Sequence, residues 1–391
     1  MNPIKCILIF DIGKTNKKCI LYDEFYKAIF EESVQLTEIK DEDGFDCEDL
    51  EALTNWVLET KTKLCQDGRY LIKAIHYATY GASLVYLNNQ NKPLTVLYNY
   101  LKPCKESTIQ LFEQKHGSIE NICIETSSPN LGNLNSGIQL FGIKYEQPQV
   151  FKNIKWVLHL PQYIHFIITG ELASDITSIG CHTLLWNFKT NNYHDWVIEE
   201  QFNSLFPPLK SNVGLHDSSA ALIPYLNSFS EPFILISTGT WCISLNPFNH
   251  TPLTNHDLSN DCLCYLSNEG KQVKASRLFL GKEYEIALDK IKARNNNEFE
   301  KEHEQLIEKM VIKQVVSAKL VLGNTNVKTI FVDGGFGKNE LFMKKLAKAF
   351  VGVRLFASNV PQGSAIGAAL AIHAKWNTEG IPPHLFELKS F

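Results

Sequence analysis

One local pattern occurs twice in this chain: a short apolar strand, a small polar turn, and a second apolar strand. In the first half, KCILIF (5–10) and KCILYD (18–23) flank Asp11-Ile12-Gly13-Lys14-Thr15-Asn16-Lys17. In the second half, PFILIS (232–237) leads through Thr238-Gly239-Thr240 into WCISL (241–245). Two apolar runs joined by a short polar turn pair as a hairpin, so the chain carries two separate sheet nuclei. The first is followed by a strand pattern in FYKAIFEESV, a helix over 48–65 with Leu50, Leu53, Val57 and Leu64 on one face, and strands near 72–79 and 83–88. A mixed, mostly helical stretch covers 130–206, punctuated by Pro148 and Pro161 and closed by Pro207 and Pro208. The second nucleus is followed by a helix at 300–322, with Leu306, Met310, Val315, Val316 and Leu320 apolar and Gly323 as its stop. Residues 328–350 then read strand, glycine turn, helix. VRLFAS (353–358), a turn at Pro361-Gln362-Gly363 and the small-residue helix SAIGAALAIHAKW (364–376) complete the pattern. A chain of 391 residues divides into two or three domains. YLNSFSEP (225–232) separates the two apolar blocks, so the expected domains are 1–226 and 227–391, two α/β halves of duplicated design.

Composition removes several function classes. With 38 Lys and Arg against 42 Asp and Glu, the net charge is -4, without the basic excess of a nucleic-acid binder. No run of about 18 apolar residues predicts a membrane span, and the apolar start of MNPIKCILIFDIG reads as a strand, not a signal sequence. The 10 cysteines form no C-x-x-C pair and the 12 histidines no H-x-x-x-H pair, so spacing predicts buried, reduced thiols in a cytoplasmic protein and no zinc centre.

Four short segments carry chemistry. Asp11 ends a strand and is followed by Gly13, Lys14, Thr15 and Asn16; turn amides, hydroxyls and an amine can meet phosphate oxygens, and a strand-end carboxylate can hold Mg²⁺. A plain hairpin turn has the same D-x-G pattern. Thr238-Gly239-Thr240 is a second hydroxyl-rich turn between strands. Asp333-Gly334-Gly335-Phe336-Gly337 lets backbone approach a flat ligand ahead of a helix N-terminus. It is neither G-x-G-x-x-G nor a Walker loop. His216-Asp217-Ser218-Ser219 puts a carboxylate before a small-residue run, where it is either a helix N-cap or a general base for a weakly acidic hydroxyl.

In this order, FDIGKTNKK (10–18), GLHDSSAALIPY (214–225), ISTGTWCIS (236–244), VDGGFGKNELFMKKLA (332–347) and GSAIGAALA (363–371) resemble the FGGY family of carbohydrate kinases, in its rhamnulokinase- and fuculokinase-like branch. The resemblance implies an α/β fold of two ribonuclease-H-like, actin-like ATPase domains flanking an interdomain cleft. It implies ATP-dependent phosphorylation of a hydroxyl on a small ketose, deoxy-ketose or polyol. Asp11 matches the Mg²⁺-associated aspartate; Gly13, Lys14, Thr15 and Asn16 form the first phosphate loop, and Thr238, Gly239 and Thr240 the second. Gly334, Gly335 and Asn339 match the adenosine-holding segment. Asp217 matches the catalytic base, with His216, Gly81 and Ser83 toward the sugar. Tyr80-Gly81-Ala82-Ser83 stands where relatives carry an aspartate-bearing segment, and Pro161-Gln162 replaces proline–aspartate. The nucleotide motifs are thus kept more fully than the sugar motifs. A nucleotide-binding sugar sensor of the same fold is the alternative expectation, and a homodimer is compatible with either.

Overall fold

A computed structural model describes residues 2–294, 298–359, 362–383, 385 and 387–391. Pro361, in the turn expected before the last helix, lies outside the described residues. The chain forms two compact units. One comprises Met1–Tyr225, Tyr265–Lys271 and Gln362–Pro383; the other comprises Leu226–Cys264, Gln272–Pro361 and His384–Phe391. Among the described residues, no helix is long and apolar enough to cross a membrane.

In the first unit, β1 (Ile4–Ile12), β2 (Lys17–Asp23) and β3 (Ala28–Val34) form an antiparallel meander. Residues Cys6–Phe10 are buried on both faces of β1, as a continuous apolar run requires of a central strand. Helix α1 (Leu50–Gln66) is capped by Asp49, whose side chain accepts the Ala52 N–H at 2.9 Å. Its apolar stripe, Leu50, Leu53, Val57 and Leu64, joins the core of the sheet. β4 (Tyr70–Thr79) lies parallel to β1. β5 (Leu84–Leu87) pairs with β6 (Trp156–His159), a strand inside the stretch expected to be mostly helical. β7 (Leu215–His216) adds in parallel to β4 and runs directly into α2 (Asp217–Ser228). The sheet order is β7-β4-β1-β2-β3. The terminal helix Gly363–Ala371 returns to this unit, where a Cβ on Gly367 would stand 1.8 Å from the Ala220 carbonyl oxygen of α2. Just beyond this helix, the Tyr26 hydroxyl bonds His373 Nδ1 at 2.6 Å.

The second unit repeats the scheme. β8 (Phe233–Thr238) and β9 (Cys242–Asn246) are antiparallel, and β10 (Cys262–Leu266) and β11 (Gln272–Leu278) extend that side. Helices α3 (Leu280–Ala293) and α4 (Phe299–Leu322) follow, then β12 (Thr329–Gly334), α5 (Glu340–Ala349), β13 (Arg354–Asn359) and β14 (Glu387–Ser390). The order is β10-β11-β9-β8-β12-β13-β14, with β8, β12 and β13 parallel. The five strands β11-β9-β8-β12-β13 have the connectivity of β3-β2-β1-β4-β7, so the expected duplication is topological. In α4 the buried side is Leu306, Ile307, Met310, Val311, Ala318 and Val321. Val316, expected on that side, is 54% exposed. Gly323 ends α4 at φ +53°.

Candidate active site

Three adjacent parallel strands of the first unit end level with one another. Ile12 of β1 is in register with Thr79 of β4, and Thr79 with His216 of β7. Asp11, the Tyr80-Gly81 turn and Asp217 therefore collect at the carboxyl edge of the sheet, where open α/β sheets bind ligands.

Asp217 opens α2. Its Oδ1 accepts the Ser218 N–H at 2.6 Å and the Ser218 hydroxyl at 3.3 Å. The side chain keeps 37% exposure, yet burial by the surrounding protein pushes its pKa up to about 6. Asp11 is also pushed up to about 6, first by burial; the Ser364 hydroxyl, donating to Oδ2 at 2.9 Å, counters this, and the Asp217 charge adds to it. His216 is buried, which lowers its pKa to about 3, so its imidazole is neutral near pH 7. Its Nε2 lies 3.2 Å from Asp217 Oδ1 and 3.2 Å from Cys181 Sγ. Gly81 packs against this ring: a Cβ there would stand 2.8 Å from His216 Cδ2. Ala82, next in the turn, holds φ +66°, a conformation that costs a residue with a Cβ.

The first loop is tied inward. The Gly13 N–H donates to the Asn16 carbonyl at 2.9 Å, closing the turn. Lys14 reaches Glu38 at 2.8 Å, and Asn16 Oδ1 accepts from Gln35 at 2.9 Å, while Thr15 is exposed. Lys17, buried, donates to the Lys14 carbonyl at 2.9 Å and pairs with buried Glu48 at 2.5 Å. The other Glu48 oxygen accepts the Tyr80 hydroxyl, which also bonds the Ser83 side chain. Ser83 is only 2% exposed. From the Lys14 carbonyl, a buried chain of Lys17, Glu48, Tyr80 and Ser83 thus links the first loop to the turn after β4. Sequence reasoning missed Lys17 and Glu48, because neither has a local signature and their partners meet only in the fold.

The second unit has an equivalent edge, with Thr238 of β8 in register with Gly334 of β12. The Thr238 hydroxyl donates to the Asp333 carbonyl at 2.5 Å and accepts the Phe336 N–H at 3.0 Å. Gly334 holds φ +86°, and a Cβ there would meet the Thr238 carbonyl oxygen at 1.9 Å. The Gly335 N–H donates to the same oxygen at 3.2 Å, and the Gly239 N–H to the Trp241 carbonyl at 2.9 Å. Thr240 is exposed. Gly281, unremarked in the sequence, has no room for a Cβ, which would lie 1.8 Å from the Gly239 oxygen. Asn339 caps α5, its side chain accepting the Phe342 N–H at 3.0 Å. The structure therefore brings Asp11, Gly13–Asn16, Gly81, Ser83, His216 and Asp217 to one unit, and Thr238–Thr240, Gly334, Gly335 and Asn339 to the other.

Residues 6–212 match the N-terminal domain of the FGGY family of carbohydrate kinases, and residues 230–321 match the carbohydrate kinase FGGY C-terminal domain. The chain belongs to the FGGY family. It is similar to the rhamnulokinase of Halalkalibacterium halodurans, 25% identical over 268 residues, covering 60% of this chain and 55% of that protein. The chain spans about half the length of this curated relative. A carbohydrate kinase from Novosphingobium aromaticivorans shares the fold at TM-score 0.83 and 18% identity, covering 99% of this chain and 94% of that one. A ligand-bound xylulose kinase from Lactobacillus acidophilus does so at 0.83 and 17%, covering 99% and 93%. This fold is the α/β, actin-like ATPase architecture of FGGY kinases, in agreement with the sequence resemblance.

Proposed function

We propose that this FGGY-family chain transfers the γ-phosphoryl group of ATP to a hydroxyl of a small sugar, with Asp217 as general base. The observation that carries this reading is the Asp217 carboxylate itself: partly exposed at the carboxyl edge of three parallel strands, with a pKa raised to about 6. Such a group is ionised at neutral pH yet basic enough to accept a proton as a sugar oxygen attacks phosphorus. The P–O bond to the attacking oxygen forms as the bond to the ADP oxygen breaks, and the hydroxyl proton passes to Asp217. Neutral His216 lies against Asp217 Oδ1 and orients it without a full counter-charge.

Mg²⁺ suits the donor set. Asp11 offers hard carboxylate oxygens, and its charge is opposed by that of Asp217, a repulsion a cation would relieve. Asp11 would hold the ion, which when bound offsets phosphate charge. With the Gly13 amide engaged inside its own turn, phosphate contact in the first loop falls to the Thr15 hydroxyl and the later amides. Thr240 and Gly239 supply the second loop, and Gly334, Gly335 and Asn339 the adenosine segment. Ser83 acts through Tyr80 at the sugar turn, with Gly81 giving room beside His216.

The inward use of Ser83 and Tyr80 favours one second reading, a sensor that binds nucleotide and sugar without turnover. ADP release is to be measured with a panel of ketoses, including L-rhamnulose, and polyols and deoxy-sugars. The kinase reading expects sugar-dependent ADP. Tight ATP binding with no sugar-dependent ADP from any panel member would overturn it in favour of the sensor.

A further inference from the structure

Spacing in the sequence argues against a metal centre, yet among the described residues the fold assembles one set of ligand types. Cys181, His182 and His216, all buried, present one ligand atom each, and these atoms lie within 4.8 Å of one another. We propose that they form a site for a thiophilic divalent cation of the Zn²⁺ type, next to Asp217. One thiolate and two imidazoles are a set that Zn²⁺ favours and Mg²⁺ does not.

The geometry supports this in two ways. Cys181 Sγ and His216 Nε2 are 3.2 Å apart. Ligands at Zn–S and Zn–N distances of about 2.3 and 2.0 Å in a tetrahedron stand about 3.5 Å apart, so a small outward movement admits the ion. His182 Nδ1 bonds the Leu134 carbonyl at 3.1 Å. That bond protonates Nδ1 and leaves Nε2 with its lone pair, the outer-shell arrangement that orients ligating histidines. His216 Nδ1 is buried with no hydrogen-bond partner. Without an outer-shell bond at Nδ1, this ring is held by stacking on Tyr265, at 5.3 Å, and by the contacts of Nε2.

On binding, the Cys181 proton leaves to solvent and the sulfur donates as thiolate. Asp217 Oδ1 lies 3.2 Å from His216 Nε2 but outside the cluster of three, so the fourth position falls to water. A bound ion would set a positive charge beside this carboxylate and make it a weaker base; that consequence rests on the kinase reading, whereas binding does not.

The test uses the full chain with Co²⁺ as a spectroscopic substitute. One equivalent of Co²⁺ is expected to give a thiolate-to-cobalt charge-transfer band that Zn²⁺ abolishes. Cys181→Ser should remove the band. Loss of an outer-shell partner alone costs about 10–100-fold in affinity, so His182→Gln, which removes a ligand, should weaken Co²⁺ binding by at least about tenfold. Thermal melts check that both variants fold, and His182→Gln decides the matter where Cys181→Ser does not fold. No band in the wild type, a band of equal intensity in folded Cys181→Ser, or unchanged affinity in His182→Gln would overturn the site. Because the readout is absorbance, it stands whether or not the chain releases ADP; where it does, Zn²⁺ should suppress the release in the wild type and much less in His182→Gln.

Discussion

A carboxylate accepts a proton only when ionised, so the raised pKa of Asp217 has a direct kinetic consequence. Asp11 and Asp217 are both raised to about 6, chiefly by burial, and the Asp217 charge adds to the shift at Asp11. Below about pH 6 the reactive ionised form falls about tenfold per unit. The expected profile of kcat/KM for the sugar rises with pH through about 6 and levels above it. Asp217→Asn should lower turnover by about 10²–10⁴-fold with nucleotide binding retained; near wild-type turnover in the folded variant contradicts the assignment. The positions of these two aspartates are legible in the sequence because each adjoins a strand end with a glycine or small-residue run beside it. Their surroundings are not. Ser364 reaches Asp11 across 353 positions, Tyr80 reaches Glu48 across 32, and Cys181 reaches His216 across 35. No local pattern encodes such contacts.

Elements hold these side chains in place through two close approaches. The first is the crossing of the terminal helix on α2. A Cβ on Gly367 would be 1.8 Å from a backbone oxygen, so no rotamer change relieves Gly367→Ala and the helices must separate. Overpacking of this kind costs about 1–3 kcal/mol, and the backbone clash places this case at the upper end. The variant should melt earlier, and its Asp11, losing the exact reach of Ser364, should give a pH profile shifted upward. An unchanged melting temperature would show that the helices are not in contact as described. The second is the buried Lys17–Glu48 pair. Removing one partner of such a pair strands a charge and costs about 3–5 kcal/mol, whereas replacing both with apolar groups costs far less. Urea unfolding should show Glu48→Ala much less stable than the Lys17→Met, Glu48→Leu double variant; equal losses would mean the pair is not coupled. Elements of this length were legible in proportion to their burial. β1, β8 and β12 are apolar runs whose neighbours on both sides demand burial, and they stand where the sequence places them. β6 was missed because four residues beside Pro161 carry too little periodicity to compete with a helical reading, and only pairing with β5 makes them a strand.

At the scale of the molecule, the first unit concentrates ionisable groups shifted in two opposing directions. His76, His159 and His216 are lowered to about 3, chiefly by burial. Asp11, Asp175 and Asp217 are raised to about 6, also chiefly by burial. Stability rises with pH wherever the unfolded chain binds more protons than the folded one. Unfolded histidines take protons below about 6.5 that the folded ones refuse until about 3, so the three histidines lose stability as pH falls through that window. The aspartates act oppositely: folded, they bind protons from about 6 downward, while unfolded ones wait until about 3.9, so between those values acid stabilises them. Three protons on each side nearly cancel from about pH 6 to 5. Below about 4 the unfolded aspartates are protonated as well, the compensation ends, and the histidine deficit stands alone. Carboxylates held low by partners, such as Glu200 beside Lys144 and Asp41 beside Lys102, add to the loss in the same direction. Thermal melts from pH 7 to 3.5 should therefore show a melting temperature nearly flat to about pH 5 and falling steeply below about 4. His76→Phe and His159→Phe each remove one proton from the deficit, so each should make the acid limb shallower if the ring fits its site. A melting temperature that declines steadily from pH 6.5 would mean that the aspartates do not compensate, and hence that Asp11 and Asp217 are not raised together at the edge of the sheet.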